Sequence, residues 1–141
     1  MPSRAKAARI SEQNIEITRS FVEDFNRRGV DALVDFYDPE VEYREDPKFP
    51  QAEVYRGRDA VGRNAREFYA SFSEYRVEIE DLFGADDKVV AVCHEIGRGK
   101  ASGAPVDRRV GWIFTIRAGK LLRMEIYLDP ADALEAVGVR R

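Results

Sequence analysis

The 141-residue chain holds one cysteine, one histidine and one tryptophan, and each scarcity excludes something. A lone cysteine cannot close an intrachain disulfide, which fits a reducing compartment, so a cytoplasmic location is expected. Long apolar runs are also missing. Nowhere do eighteen apolar residues follow one another, which argues against a membrane-spanning helix. The opening "MPSRAKAARI" carries Arg4, Lys6 and Arg9 with no apolar stretch behind them, so it does not read as a secretory signal. Residues 1–10 are expected to be a frayed tail and 11–141 a single domain. An excess of one charge is absent too: 23 basic against 26 acidic residues leave a net −3, without the basic surplus of a nucleic-acid binder. There is no internal repeat, low-complexity tract or linker.

What is present is a globular composition, 44% hydrophobic and 35% charged. Ser11 is placed as an N-cap, and Ile15, Thr18, Val22 and Phe25 follow at helical spacing, with Phe21 beside them, up to Gly29. A second short helix fits "VDALVDFY", burying Leu33, Phe36 and Tyr37 before Pro39 ends it. "EVEYRED" alternates, with Val41, Tyr43 and Glu45 on one face and Glu42, Arg44 and Asp46 on the other. Pro47 and Pro50 predict a loop. Asp59 then caps a third helix with the stripe Val61, Ala65, Phe68 and Phe72, and Tyr69 adjacent.

The second half reads as strands. "YRVEIEDLF" sets Tyr75, Val77 and Ile79 against Arg76, Glu78 and Glu80. A "GADDK" turn leads into a strand over 88–97, the glycine-rich "GRGKASGAP" into one over 106–117, and "RAGK" into the last over 121–129. Asp129-Pro130 opens a short terminal helix that Gly138 closes. The expected class is therefore α+β: three N-terminal helices packed on a strongly curved, mostly antiparallel sheet, with a short C-terminal helix.

The stretch "VVAVCHEIGRG" holds both rare side chains next to each other. On a strand, Val90, Val92, His94 and Ile96 share one face while Val89, Ala91, Cys93 and Glu95 share the other. Cys93 and His94 therefore diverge and cannot act as a nucleophile–base pair. The basic group Arg98, Lys100, Arg108 and Arg109 flanks the glycine-rich loop. It reads as a charged hairpin or as a site for an anion. The run "GRGKASG" lacks the ending and the strand-to-helix context of a phosphate loop.

Four segments, "FNRRGVDALVDFYDPEVEY", "YRGRDAV", "GRGKASGAPV" and "GKLLRMEIYLDPADALEAVG", resemble in that order the NTF2-like superfamily, in particular its SnoaL-like branch, which includes the ketosteroid isomerases. The resemblance spans about Ile15 to Gly138. It implies a conical α+β barrel with an apolar pocket between the helices and the concave sheet, and homodimers through the outer sheet face. It also implies that the Val92, His94 and Ile96 face lines the pocket, leaving Val89, Ala91, Cys93, Gly111, Ile113, Thr115 and Tyr127 outside.

The family's isomerases use an aspartate base with a tyrosine and a protonated aspartic acid as oxyanion donors. By the resemblance, the base falls on Glu45 by counting or on Asp46 by its Asp-Pro pair, the tyrosine on Phe21, and the acid on Trp112, or on Ile113 if the register slips by one. Two of the three parts are missing, so ketosteroid isomerase activity is disfavoured. Epoxide hydrolysis is disfavoured as well, because the acid slot before "YLD" holds Ile126.

His94, Glu45 and Asp46 remain the candidate catalytic groups. Phe21, Phe25, Tyr43, Tyr69, Val92, Ile96, Trp112, Phe114, Met124, Ile126 and Leu128 are the candidate ligand-binding set. His94 and Glu45 fall short of the three protein ligands usual for catalytic zinc, so neither metal nor cofactor is expected. Two functions stay open: an apolar, cyclic small molecule bound in the cone with cofactor-free acid–base chemistry, or a non-catalytic ligand carrier or association module.

Overall fold

Apolar residues at helical spacing build the first half and alternating ones the second. The computed structural model describes residues 4–138. Its elements run α1 (Arg4–Arg28), α2 (Val30–Phe36), β1 (Tyr37–Arg44), β2 (Val54–Arg56), α3 (Arg58–Ala70), β3 (Phe72–Ala85), β4 (Lys88–Gly99), β5 (Pro105–Arg117), β6 (Lys120–Tyr127) and α4 (Pro130–Ala136). The six strands form one sheet in the order β2-β1-β6-β5-β4-β3. Only β1 and β6 run parallel; the other neighbours are antiparallel. The α+β architecture is the one expected.

Several boundaries differ from expectation for local reasons. α1 begins at Arg4, so Ser11 is an interior helix residue, and its Oγ donates to Asp86 O at 3.4 Å. The expected frayed tail is thus helical from Arg4, while residues 1–3 lie outside the described residues. Pro39 does not end α2, which stops at Phe36; it lies within β1, where the pairing with β6 shifts between Tyr37 and Glu42. A residue without an N–H fits at such an irregularity. The short β2 falls where a loop was expected. Gly57, not Asp59, is the N-cap of α3, and Phe72 opens β3 instead of extending the helical stripe. Asp129 caps α4 as expected, its carboxylate accepting from Ala131 N at 3.0 Å with Pro130 at the first helical position.

The main core lies on the inner face of the sheet. Phe21, Phe25, Leu33 and Phe36 of the helices pack there on Val77, Val89, Ala91, Cys93, Trp112 and Phe114. Phe21 stacks on Phe36 at 4.8 Å between ring centroids and meets Phe114 edge-on at 5.9 Å. The outer face carries a smaller cluster in which Ala133 and Leu134 of α4 cover Val90 and Ile113. Gly111 permits that contact. A Cβ there would stand 2.7 Å from Ala133 Cβ and 3.0 Å from Pro130 Cα.

The side chains of β4 face opposite to the assignment implied by the resemblance. Beside the turn, Ala85 pairs with Lys88, whereas further out Ile79 pairs with Cys93 and Val77 with Glu95. The register slips between Ile79 and Asp81, where β3 carries one extra residue, Glu80. Without that bulge Ile79 would stand opposite His94. The extra residue exchanges the faces of β3, so that Leu82 on the turn side and Ile79 and Val77 beyond the bulge all pack inside. β4 itself carries no bulge and alternates without a break, so Val89, Ala91, Cys93 and Glu95 face inside with Leu82, Ile79 and Val77, and Val90, Val92, His94 and Ile96 face outside.

Candidate active site

Inner-face side chains of the sheet, with α3 and Leu33 of α2, enclose a cavity of about 170 Å³. This is close to the ~150 Å³ that holds a single benzene ring in a buried apolar cavity, so it suits a compact ligand. β1 and the loop after it bring Tyr37, Tyr43, Glu45 and Phe49, and α3 brings Val61, Asn64, Ala65, Phe68 and Tyr69. The remaining wall comes from Glu95 on β4, Arg108 and Trp112 on β5, and Met124 and Ile126 on β6.

Glu95 is the polar centre of this wall, 1% exposed in a strand that is otherwise apolar as far as Cys93. Burying a carboxylate is costly unless it is paired and hydrogen-bonded. Here the Tyr75 hydroxyl donates to Oε2, and Arg108 Nε donates to Oε1 at 2.9 Å. The cross-strand register explains both partners. Glu95 stands opposite Arg108 on β5 and Val77 on β3, with Tyr75 one step along the same face. Arg108 itself stays 40% exposed at its side chain, so the pair runs from the interior towards solvent.

The phenols around this carboxylate are held neutral. Burial raises the Tyr43 hydroxyl well above its ordinary range, and the negative charges of Glu45 and Glu95 add to the shift. Tyr37 and Tyr69 are raised mainly by burial. Tyr75 is raised by burial first, then by Tyr69 and Glu95. All four stay hydrogen-bond donors at neutral pH. Trp112 lines the cavity, and its indole N–H is buried with no acceptor among the described residues. Burial pushes the Cys93 thiol up to about 12, with Glu95 adding to the effect, so Cys93 is a packed core thiol and not a nucleophile.

The expected site residues divide sharply. Tyr43, Tyr69, Trp112, Met124, Ile126 and Glu45 line the cavity. Phe21, Phe25 and Phe114 are core beneath it. Asp46 is a loop fastener: 2% exposed, it accepts from Lys48 N at 3.0 Å and Leu128 N at 3.1 Å, fixing the loop after β1 to the end of β6. Leu128 is 43% exposed and lies off the cavity.

His94 is not in the cavity. It stands on the outer face between Glu78 and Arg109, with Nδ1 3.4 Å from Asp107 Oδ1 and Nε2 3.9 Å from Glu80 Oε2. Val92 and Ile96 share that face, because β4 alternates without a break from Val89 to Ile96. Val89, Ala91 and Cys93, expected outside, are inner core. Among the described residues no cluster of three His, Cys, Asp or Glu side chains could hold a metal ion. Sequence reasoning missed Glu95, Tyr37 and Asn64. A carboxylate inside an apolar run was the available signal for Glu95, because such a residue needs partners wherever it faces inward.

A family model for the SnoaL-like domain matches residues 18–124. No curated protein matches the chain by sequence. Among solved structures, a putative SnoaL-like polyketide cyclase from a Jannaschia species is similar at a TM-score of 0.72 and 17% identity, over 100% of this chain and 99% of that one. TerC co-crystallized with polyporic acid gives 0.68 and 19%, over 88% and 96%. A protein of ketosteroid isomerase-like fold from Catenulispora acidiphila, in complex with trimethylamine, gives 0.69 and 16%, over 89% and 94%. These likenesses concern the fold. With the family match over most of its length, the chain belongs to the SnoaL-like domain family.

Proposed function

We propose that this protein binds a compact, largely apolar small molecule in the inner cavity and performs cofactor-independent acid–base chemistry on it. The observation that carries this reading is Glu95, a carboxylate buried in the cavity wall and oriented by Tyr75 and Arg108. A proton-transfer group must be fixed within reach of the ligand, and a low-dielectric wall makes its charge effective. The neutral hydroxyls of Tyr37 and Tyr43 supply donors for oxygen charge that develops during such a transfer. Similar folds crystallised with polyporic acid or trimethylamine make a small-molecule ligand the natural occupant. A second reading, a ligand carrier without turnover, is favoured by the fact that both Glu95 oxygens already accept from protein donors.

The test uses ligand released from natively purified protein by denaturation and identified by mass spectrometry. Returned to wild-type protein in D2O, it should exchange a carbon-bound hydrogen, while Glu95→Gln binds it without exchange. Binding without exchange in the wild type selects the carrier. Loss of binding in a folded wild-type sample removes both readings.

The expected outer-face homodimer and cytoplasmic setting belong to this reading. α4 covers Val90 and Ile113, so such a contact would rest on the charged strip of Arg76, Glu78, Glu80, His94 and Arg109. No described helix is long and apolar enough to cross a membrane.

A further inference from the structure

The charges that line the cavity do not cancel. Three lining side chains are ionic: Glu45, Glu95 and Arg108. Arg108 and Glu95 compensate each other at 2.9 Å. Glu45 keeps one carboxylate oxygen on the Glu53 backbone N–H at 3.1 Å and makes no ion pair among the described residues. The cavity wall therefore carries a net negative charge. It is also unusually aromatic: Tyr37, Tyr43, Phe49, Phe68, Tyr69 and Trp112 make six of its fifteen lining residues, against 11% aromatic residues in the chain. Aromatic faces present the negative end of a quadrupole, which attracts a desolvated cation and is poor company for an anion.

Resting on the small-molecule reading above, we infer that the ligand carries a positively charged nitrogen, an alkylated ammonium group on a compact apolar body, with Glu45 as its counter-charge. An uncompensated carboxylate beside a ring-walled cavity is stabilised by such a guest, whereas an anionic guest would add to a charge already unbalanced. The free guanidinium edge of Arg108 is the one positive charge among the described lining residues that would welcome an anion, and the experiment sets the two against each other.

Three soluble probes share one branched skeleton and differ in charge: choline, its neutral carbon analogue 3,3-dimethylbutan-1-ol, and the anion 3,3-dimethylbutanoate. Each is titrated into the full chain by calorimetry and followed by the indole N–H resonance of Trp112, the only tryptophan. Choline should bind at least about tenfold tighter than the alcohol, with the anion weakest. Glu45→Gln keeps an oxygen for the Glu53 N–H and should bring choline to within about twofold of the alcohol. The alcohol or the anion binding as tightly as choline overturns the inference and leaves the cavity reading standing. An unchanged choline preference in Glu45→Gln overturns the role of that residue and the inference with it. If none of the three moves the Trp112 resonance, the ligand cavity itself is refuted.

Discussion

Arg108 and Arg109 are consecutive in sequence, are exposed to the same degree, and each grips a glutamate, yet they serve different regions of the molecule. Arg108 meets Glu95 at 2.9 Å with side-chain exposures of 40% and 2%. Arg109 meets Glu80 at 2.6 Å with 43% and 42%. The shorter contact is the less consequential one. On the outer face both partners keep their water, and His94 and Asp107 crowd the same spot as alternative partners. On the inner face Glu95 has surrendered its water and depends on Arg108 and Tyr75. Distance does not rank these pairs; the burial of the weaker-solvated partner does.

The largest expected effect tests that ranking directly. Arg108→Met keeps most of the stem but leaves a buried carboxylate with Tyr75 alone. It should cost about 2–3 kcal/mol, somewhat less than the ~3–5 kcal/mol of breaking a fully buried pair, because Arg108 is itself half in water. Arg109→Met should cost about 0–1 kcal/mol. Urea unfolding of the two variants checks both, and equal losses would dissolve the distinction between the faces.

A smaller effect is expected where the outer face is not polar. At Gly111 a methyl group would meet Ala133 Cβ and Pro130 Cα, so Gly111→Ala must push α4 away from β5. The expected loss is about 1–3 kcal/mol in a thermal or urea transition. A neutral outcome would mean that α4 yields freely and that the outer face is more open than its burial indicates.

The same contrast explains what could be read from the sequence. The helices, the strands of the second half and the Asp129-Pro130 cap were legible because period and capping residues are local. The inner faces of β1 and β6 were legible too, because Tyr43, Met124 and Ile126 alternate with polar neighbours, whereas Trp112 in the uniformly buried stretch of β5 was placed inside by the resemblance. The inner face of β4 was not legible. Every residue from Val89 to Cys93 is buried, so its hydrophobicity carries no alternation and does not say which side is inside. The face is set by the neighbouring strands, and the Glu80 bulge breaks the parity of β3 from which it could have been inferred, since Leu82 is inside on one side of the bulge and Ile79 and Val77 on the other. The resemblance put His94 rather than Glu95 on the inner face, and nothing within β4 contradicts it. Asp46 was hidden for another reason, since its work is done by two backbone N–H groups, one of them at the far end of β6.

The smallest energetic effect gives the sharpest reading of the faces, because the chain has one cysteine and one histidine and they are adjacent. His94→Gln removes only an exposed, water-competed contact and should change stability by less than about 0.5 kcal/mol. In the native protein diethyl pyrocarbonate should modify His94 at a rate comparable with the unfolded chain, since its ring stands on the outer surface. Cys93 should behave oppositely. Its thiol is raised from 9.0 to about 12, so the folded chain holds a proton that the unfolded chain releases. The stability linked to that shift is fully present below pH 9 and is lost as pH climbs from there towards 12. At pH 8 the same shift leaves about a thousandfold less thiolate than in the unfolded chain, and iodoacetamide should label Cys93 only after denaturation. A native chain whose cysteine alkylates readily while its histidine resists would place β4 in the other register, and with it would fall the assignment of Glu95 to the cavity.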